Sequence, residues 1–314
     1  MGVTTSELYG DGPPQPALPG TYGQSPRGFR LPENTRLGPV RLRVSDLDRS
    51  VSYYESVLGM RPTGRDAAHA SLGAHGDNRV LVELEEHKGA GSAARRGRLG
   101  LFHFAILLPD RGSLGQFVRH LGEQGVHAGA GDHLVSEAFY LQDPDDLGIE
   151  VYADRPRDTW RRVGRELMIS TDPVDVGAVV QAAGDARWTG MPAGTVMGHV
   201  HLHVGDIQGA SAFFSEALGF DRMAWSYPGA LFMGAGGYHH HLGTNTWAGP
   251  GARPTKPDEA GLIEWTIEVP DARTVDAAAA SLAGAGFDAT RDASGLRTRD
   301  PWGTAIRLVA ARAE

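Results

Sequence analysis

The stretch LGPVRLRVSDLDRSVSYYESVLGM at residues 37–60 occurs a second time, as MGHVHLHVGDIQGASAFFSEALGF at residues 197–220. The two copies align without a gap, and Gly38 and Asp46 are identical to Gly198 and Asp206. In each copy, alternating apolar residues predict a strand, and the aspartate that follows can cap a helix. A repeat of this length indicates that one structural unit is present more than once.

Two further pairs of segments repeat in the same order. GLFHFAILLPD (100–110) matches GLIEWTIEVPD (261–271), and DPDDLGIEVY (143–152) matches DPWGTAIRLV (300–309). The three pairs predict two homologous domains, at about 35–155 and 196–312. Residues 156–195 are predicted to be a linker with a short helix. Residues 1–34, rich in Gly and Pro and without periodicity, are predicted to form a disordered or extended arm.

Each predicted domain is itself doubled. A strand at 39–44, a helix that Asp46 caps and Gly59 ends, and further strands including RVLVELEE make one β-α-β-β-β unit. The pattern restarts at 101–108 with a helix near 113–124, for which Gly125 is the expected stop. Four such units along the chain predict an α+β fold.

Composition excludes several functional classes. The 314 residues include 13 histidines but no cysteine, which excludes thiolate metal sites, disulfides and cysteine nucleophiles. The net charge of −8 argues against nucleic-acid binding, and the sequence has neither a membrane-spanning stretch nor a secretory signal. We therefore expect a cytoplasmic protein with no nucleic-acid or membrane partner, in which any metal is held by His, Asp or Glu.

The histidines concentrate on predicted strand faces. By alternation, His199, His201 and His203 share one face, opposite Val200, Leu202 and Val204. The same rule places His239 and His241 on one face of their strand, and Glu264 on the polar face of the strand at 263–268. Imidazoles and a carboxylate that line the inside of a curved sheet indicate a functional site, because burying them without a role is costly.

The segments RLGPVRLRVSDLDRSVSYYESVLG, DHLVSEAFYLQDPDDLGIEVYADRPRDTW, TVMGHVHLHVGDI and PGALFMGAGGYHHHLGTNTW resemble the vicinal oxygen chelate superfamily. This superfamily includes glyoxalase I, bleomycin-resistance proteins and extradiol dioxygenases, and the chain is most similar to two-domain bacterial proteins of the catechol-2,3-dioxygenase type. The resemblance implies tandem domains in which two β-α-β-β-β units form a cup-shaped mixed sheet. It also implies metal ligands on the first and last strands of each unit.

Carried over by motif, these ligand positions hold His199, His241, Glu264 and Arg307 in the second domain and Pro39, Glu83, His103 and Glu150 in the first. Proline and arginine cannot ligate a cation. The resemblance therefore implies a metal set of His199, His241 and Glu264, with Glu83, His103 and Glu150 as the second choice. Two histidines and a carboxylate suit Fe(II) first, with Mn(II) or Zn(II) as alternatives. An ion pair between Glu264 and Arg307 is the structural alternative.

The resemblance implies opening of a small aromatic vicinal diol by O₂. In that interpretation His201 or His239 transfers a proton, and Arg307, Trp225 and Tyr227 contact the substrate. Two alternatives stay open: a glyoxalase-like metal-dependent isomerase or lyase, and a non-catalytic protein that sequesters a small molecule such as an antibiotic. The resemblance leaves the oligomeric state open, with a homodimer as one alternative, because sheet pairing makes dimers common in the superfamily.

Overall fold

The computed structural model describes residues 2–10, 13–93 and 96–311. The N-terminal arm contains α1 (Thr5–Tyr9) and β1 (Gln15–Pro16). The first unit comprises β2 (Arg36–Val44), α2 (Leu47–Ser56), β3 (Arg61–Arg65), β4 (His69–Gly73) and β5 (Val82–Glu86). The second unit comprises β6 (Arg98–Leu107), α3 (Arg111–Gln124), β7 (Gly129–Asp132), β8 (Ser136–Gln142) and β9 (Gly148–Asp154).

A connecting segment follows, with a 3₁₀ turn (Arg157–Thr159), β10 (Arg161–Val163), β11 (Glu166–Leu167) and α4 (Val176–Ala182). The third unit comprises β12 (Val196–His203), α5 (Ile207–Ala210) with a π-helical continuation (Ser211–Ala217), β13 (Asp221–Ala224), β14 (Ala230–Gly234) and β15 (Leu242–Asn245). After β16 (Arg253–Pro254), the fourth unit comprises β17 (Gly261–Val269), α6 (Ala272–Gly284), β18 (Ala289–Asp292), β19 (Gly295–Arg299) and β20 (Ala305–Ala310).

These elements confirm the α+β fold of four β-α-β-β-β units. Each unit begins its helix in the same way, with an aspartate side chain that accepts a hydrogen bond from the backbone N–H three residues later. The caps are Asp46, Asp110, Asp206 and Asp271. The helix stop at Gly125 is also confirmed, since this residue caps α3 in the left-handed conformation with φ of 67°.

Two large curved sheets contain nearly all of the strands. Sheet I has the order β13-β14-β15-β12-β6-β9-β8-β7, with β16 beside β6, and sheet II has the order β18-β19-β20-β17-β2-β5-β4-β3. In sheet I the antiparallel pair β6 and β12 joins the second unit to the third, and in sheet II the pair β2 and β17 joins the first to the fourth.

This pairing differs from the sequential one on which the ligand sets of the sequence analysis depended. Units two and three share a sheet, as do units one and four, so each cup takes one unit from each repeated half. The sequence repeat does not reveal which units share a sheet, because the first strand of every unit has a free edge that can pair with the first strand of any other unit. The boundaries at 35–155 and 196–312 remain a prediction.

The arm and the connecting segment pack together on one side of the molecule. β1 pairs with β10, which pairs with β11, and the three form a small separate sheet. Helix α4 packs on α3, where the Val179 carbonyl lies so close that Gly115 has no room for a Cβ atom. Among the described helices, none combines the length and apolar character needed to cross a bilayer.

Candidate metal centre

Three buried side chains converge in the middle of sheet I. Nε2 of His103 lies 3.0 Å from Oε2 of Glu150, and Nε2 of His199 lies 3.2 Å from the same oxygen. The two Nε2 atoms are 3.3 Å apart. The three residues are at most 5% exposed, so bulk water hardly reaches their donor atoms.

Strand pairing explains how residues distant in sequence meet here. β6 is parallel to β9 and antiparallel to β12, so His103, Glu150 and His199 stand on adjacent strands near the centre of the sheet. Alternation turns all three to the same face. Gly198, beside His199, allows the side chain of Tyr152 to approach closely. A Cβ atom at residue 198 would lie 2.0 Å from the Tyr152 hydroxyl oxygen.

The electrostatics of this group favour ligation of a cation. Burial alone raises the pKa of the Glu150 carboxyl, but the two neighbouring imidazoles outweigh it and hold that pKa well below its ordinary value. Burial lowers the pKa of His199 to about 4. At neutral pH Glu150 is therefore a carboxylate and His199 a neutral imidazole, which are the protonation states that bind a metal.

The geometry also fits a single ion. Two donor atoms that each lie about 2.1 Å from an ion, at right angles to one another, are about 3.0 Å apart. The separations among the three donor atoms are 3.0, 3.2 and 3.3 Å. In the part of the chain that the structure describes, the group of three such side chains whose ligand atoms all lie within 4.8 Å of one another is His103, Glu150 and His199.

A cavity of about 750 Å³ opens on this group. Its wall includes four further imidazoles, His133, His201, His203 and His240, and five aromatic side chains, Phe102, Tyr140, Tyr227, Phe232 and Trp247. Burial lowers the pKa of His201, His203 and His240, so these imidazoles are neutral at pH 7. The candidate metal-ligating group therefore faces a largely uncharged space.

Two hydrogen-bonded networks fix the orientation of these imidazoles. Asn245 donates through Nδ2 to Nε2 of His201 (3.0 Å) and accepts at Oδ1 from Nδ1 of His203 (2.6 Å). Nε2 of His239 donates to Oδ1 of Asp154 (2.8 Å), and the Nδ1 atoms of His239 and His240 are 2.7 Å apart. His239 is fully buried behind the cavity wall, and its neighbour His240 reaches the cavity.

Tyr140 is a cavity residue that the sequence analysis did not identify. It lies on β8 directly opposite Glu150 in the strand register. Its hydroxyl hydrogen-bonds to Nε2 of His133, whose Nδ1 donates to the Ser170 carbonyl at 2.5 Å. Burial, followed by the charge of Glu150, raises the pKa of Tyr140 well above its ordinary value, so the phenol keeps its proton. Only the register of β8 on β9 reveals this position.

The structure corrects the metal set expected from the resemblance. Glu264 lies on β17 of sheet II, and its Oε1 accepts a hydrogen bond of 2.7 Å from Nε of Arg307. His241 is buried, but it lines a different cavity and its Nδ1 accepts from the Ala235 N–H at 3.2 Å. His199, His241 and Glu264 are therefore not brought together: the third and fourth units belong to different sheets, and within the third unit His240, not His241, lines the cavity of His199.

The second-choice set is split in the same way. His103 and Glu150 meet in sheet I, whereas Glu83 lies on β5 of sheet II, as Pro39 does on β2. Among the expected substrate contacts, Tyr227 lines the large cavity. Arg307 is held by Glu264 in sheet II, and Trp225 packs against the hydrophobic core outside the described cavity lining.

The family model described as "Glyoxalase/Bleomycin resistance protein/Dioxygenase superfamily" matches residues 36–151 and 196–308. A protein of Bacillus subtilis (strain 168) named catechol-2,3-dioxygenase is 44% identical over 273 residues, which cover 86% of this chain and 95% of the relative.

Solved structures support the fold. A Bacillus subtilis protein provisionally assigned as a dioxygenase superimposes with a TM-score of 0.61 at 12% identity, covering 91% of this chain and 87% of that one. Glyoxalase I from Zea mays superimposes with a TM-score of 0.52 at 18% identity, covering 88% and 92%. At these identities the similarity concerns the fold alone.

Proposed function

The chain belongs to the glyoxalase, bleomycin-resistance protein and dioxygenase superfamily, and we propose that it is an extradiol dioxygenase that opens a small aromatic vicinal diol with O₂. The observation that carries the proposal is the buried group of His103, Glu150 and His199 at the end of a large cavity. The name of the 44% identical relative supports the same activity.

These three residues are the proposed metal ligands. Two imidazoles and one carboxylate on one side of an ion leave its remaining positions open, as in non-haem iron oxygenases. Fe(II) is the proposed metal, with Mn(II) or Zn(II) as the alternatives that the same donors accept. When bound, the metal would supply the redox chemistry that allows O₂ to react with an aromatic diol.

The protein's own residues would prepare the diol for this reaction. With His239 neutral, its Nε2–H donates to Asp154 and its Nδ1 accepts the Nδ1–H of His240. Nε2 of His240 then carries a lone pair and can accept a proton from a substrate hydroxyl. His239, expected from the sequence to move a proton, would instead act by fixing the tautomer of His240.

His201 and Tyr140 would complete the polar side of the site. The amide of Asn245 donates to Nε2 of His201, which fixes that ring with its remaining N–H at Nδ1. The Tyr140 hydroxyl retains its proton at pH 7 and donates it to Nε2 of His133, so it would have to turn from His133 toward the substrate to donate a hydrogen bond to a developing oxyanion. Burial of His103, Glu150 and His199 would limit the access of bulk water to the reacting atoms.

The proposal is tested on protein prepared without a histidine tag. We expect about one divalent metal ion per chain, and oxygen uptake with catechol that matches the appearance of the ring-opened product in the visible spectrum. Reconstitution with Fe(II), Mn(II) and Zn(II) in parallel identifies the active metal. Metal binding without oxygen uptake, together with isomerase activity on a glyoxalase-type substrate, would replace this proposal with the isomerase. Absence of metal binding would favour the sequestering protein.

Two further expectations belong to the same proposal. Assembly as a homodimer is tested by light scattering on the purified protein. A cytoplasmic location is tested by fractionation of the cells that make it.

A further inference from the structure

The N-terminal arm forms part of the large cavity. Gly2 and Val3 line it, although they lie far in sequence from the proposed ligands. The Val3 N–H donates to the Tyr227 hydroxyl at 2.9 Å, and the Val3 carbonyl accepts from the Thr171 N–H at 2.8 Å. Both backbone polar groups of Val3 are thus paired, which fixes the position of its side chain at the wall.

The next turn of the arm is anchored as well. Thr5 donates to Asp172 through its backbone N–H at 3.1 Å and through its hydroxyl at 2.5 Å. The Tyr9 hydroxyl accepts from the Ile169 N–H at 3.0 Å and donates to the Ile169 carbonyl at 3.3 Å. The arm is therefore a built part of the wall and not a loose extension.

A continuous row of rings leads from the proposed ligands to Val3. His201 lies 4.9 Å from His103 between ring centroids and 5.6 Å from Trp247. Trp247 lies 5.8 Å from Tyr227, whose hydroxyl holds Val3. Substituents of a ring bound at the ligands would extend along this row toward the arm.

The cavity wall beyond the proposed ligands has few charged side chains that could pair with a charged substituent of the substrate. Among the described lining residues, those with a permanent charge are Glu150, which belongs to the ligand group, and Arg96, which is exposed. A carboxylate placed deep in the cavity would lose its hydration without a cationic partner. Phe102 and Phe232 extend the apolar wall, so an alkyl or aryl group is favoured there.

We infer that Val3 of the arm is a specificity-determining residue, and that the preferred substrate is an uncharged aromatic diol with an apolar substituent that contacts it. This inference rests on the proposed function. The cavity of about 750 Å³ supports it, because sites that hold drug-sized ligands span about 300–1,000 Å³. An unsubstituted diol would leave much of that space to water.

Substrate preference tests the inference first. The metal-loaded protein is assayed with catechol, with 3-alkyl and 3-phenyl catechols, and with a dihydroxybenzoate. We expect kcat/KM for an alkyl or phenyl catechol to exceed that for catechol by about ten-fold or more, since single apolar groups discriminate by about 10–200-fold. The dihydroxybenzoate should be the poorest. Preference for the parent diol or for the carboxylate would overturn the inference.

Variants at Val3 then test the arm directly. Val3→Trp should fill the outer cavity and lower kcat/KM for the phenyl catechol about ten-fold more than for catechol. Val3→Ala should lower the preference for the alkyl catechol by a few-fold without adding bulk. Val176→Trp, at an exposed valine of α4, is the matched control and should change neither ratio. Equal effects on all diols would contradict a role in specificity.

Binding without turnover separates this inference from the proposed function. The fluorescence of Trp247 is titrated with 3-phenyl catechol in metal-free protein, with Trp247→Phe as the reference for the other tryptophans. Weaker binding of 3-phenyl catechol by Val3→Trp than by Val176→Trp would support a contact between Val3 and the substituent, even if no diol is cleaved. Turnover of catechols with no change at Val3 would support the proposed function and overturn the inference.

Discussion

Three positions of the repeat occur in both large sheets, but the side chains at these positions differ in their chemistry between sheet I and sheet II. In sheet I these positions hold two imidazoles and a carboxylate that converge, whereas in sheet II they hold an ion pair and a proline. The matched positions are His103 with Glu264, Glu150 with Arg307, and His199 with Pro39. One scaffold thus presents a candidate metal-ligating group on sheet I and a charge-neutralised ion pair on sheet II.

The covering of the two faces differs as well. The face of sheet I is covered by the arm and the connecting segment, and His199 and Glu150 are each 2% exposed. On sheet II, the side chains of Arg297 and Arg41 are 51% and 38% exposed. Buried neutral histidines suit ligation, whereas exposed arginines and glutamates suit pairing in water. The difference indicates that the covered face of sheet I suits a buried ligand group and that the open face of sheet II does not.

The largest expected effect comes from removing the carboxylate charge of the candidate ligand group on sheet I. Glu150→Gln keeps the shape of the side chain but removes the anionic ligand. We expect it to abolish stoichiometric metal binding and to lower ring cleavage by more than about 100-fold, since losing even an outer-shell partner costs about 10–100-fold. Metal analysis and oxygen uptake measure this effect.

Glu264→Gln is the matched control on sheet II. It should leave metal content unchanged and activity within about two-fold, because Glu264 lies outside the proposed ligand group. Loss of metal in Glu264→Gln with retention in Glu150→Gln would reverse the assignment of the two faces.

A smaller effect is expected from breaking the ion pair of sheet II. Arg307→Ala leaves the Glu264 carboxylate, whose side chain is 12% exposed, without its closest partner. We expect the free energy of unfolding to fall by about 1–3 kcal/mol, and the double variant with Glu264→Ala to recover part of the loss. Urea unfolding of all four proteins measures the coupling between the two residues.

Arg297→Ala is the control for this experiment. Arg297 lies 3.6 Å from Glu264, but its side chain is 51% exposed, so its removal should cost less than about 1 kcal/mol. If Arg307→Ala is as stable as the parent protein, the pair is not a structural substitute for a metal site.

The effect that is smallest at neutral pH, and grows only in acid, concerns the buried histidines of sheet I. Burial lowers the pKa of His241 to about 3, from an ordinary value near 6.5. Between these pH values His241 is protonated in the unfolded chain but not in the folded chain. The free energy of unfolding therefore falls as the pH is lowered from about 6.5 toward 3. One such group contributes a slope of up to about 1.4 kcal/mol per pH unit.

His241→Gln should remove this contribution and make unfolding less sensitive to acid, as measured by urea unfolding at several pH values. The exposed His127, replaced in the same way, is the control and should leave the slope unchanged. An identical pH dependence in the His241 variant and the parent would show that the buried imidazole has no part in acid sensitivity.

Much of this organisation follows from local sequence. The alternation in residues 37–44 and 197–204 predicts the first strands, and the aspartates that follow cap the helices as expected. The facing of His199, His201 and His203 toward one cavity also follows from alternation, because successive side chains of a strand point to opposite faces. The expectation that Tyr227 lies at the site needed no knowledge of strand pairing.

The identity of the ligand group could not be obtained in this way. The resemblance places His103 and Glu150 in one group and His199 in another, because units adjacent in sequence are expected to share a sheet. Pairing β6 with β12 instead of with β2 brings a first-strand histidine of each unit beside the last-strand glutamate. The wall residues Tyr140 and Val3 depend on the strand register and on the path of the arm, which have no local signature.

The sequence by itself determined the repeated unit, its helix caps and the absence of thiol ligands, because these depend on residues close together in the chain. Only the tertiary structure decided which units pair, and therefore which of the 13 histidines face a carboxylate. The physical reason is that four similar units present equivalent strand edges. The choice among them depends on packing of the whole molecule, which no single segment encodes.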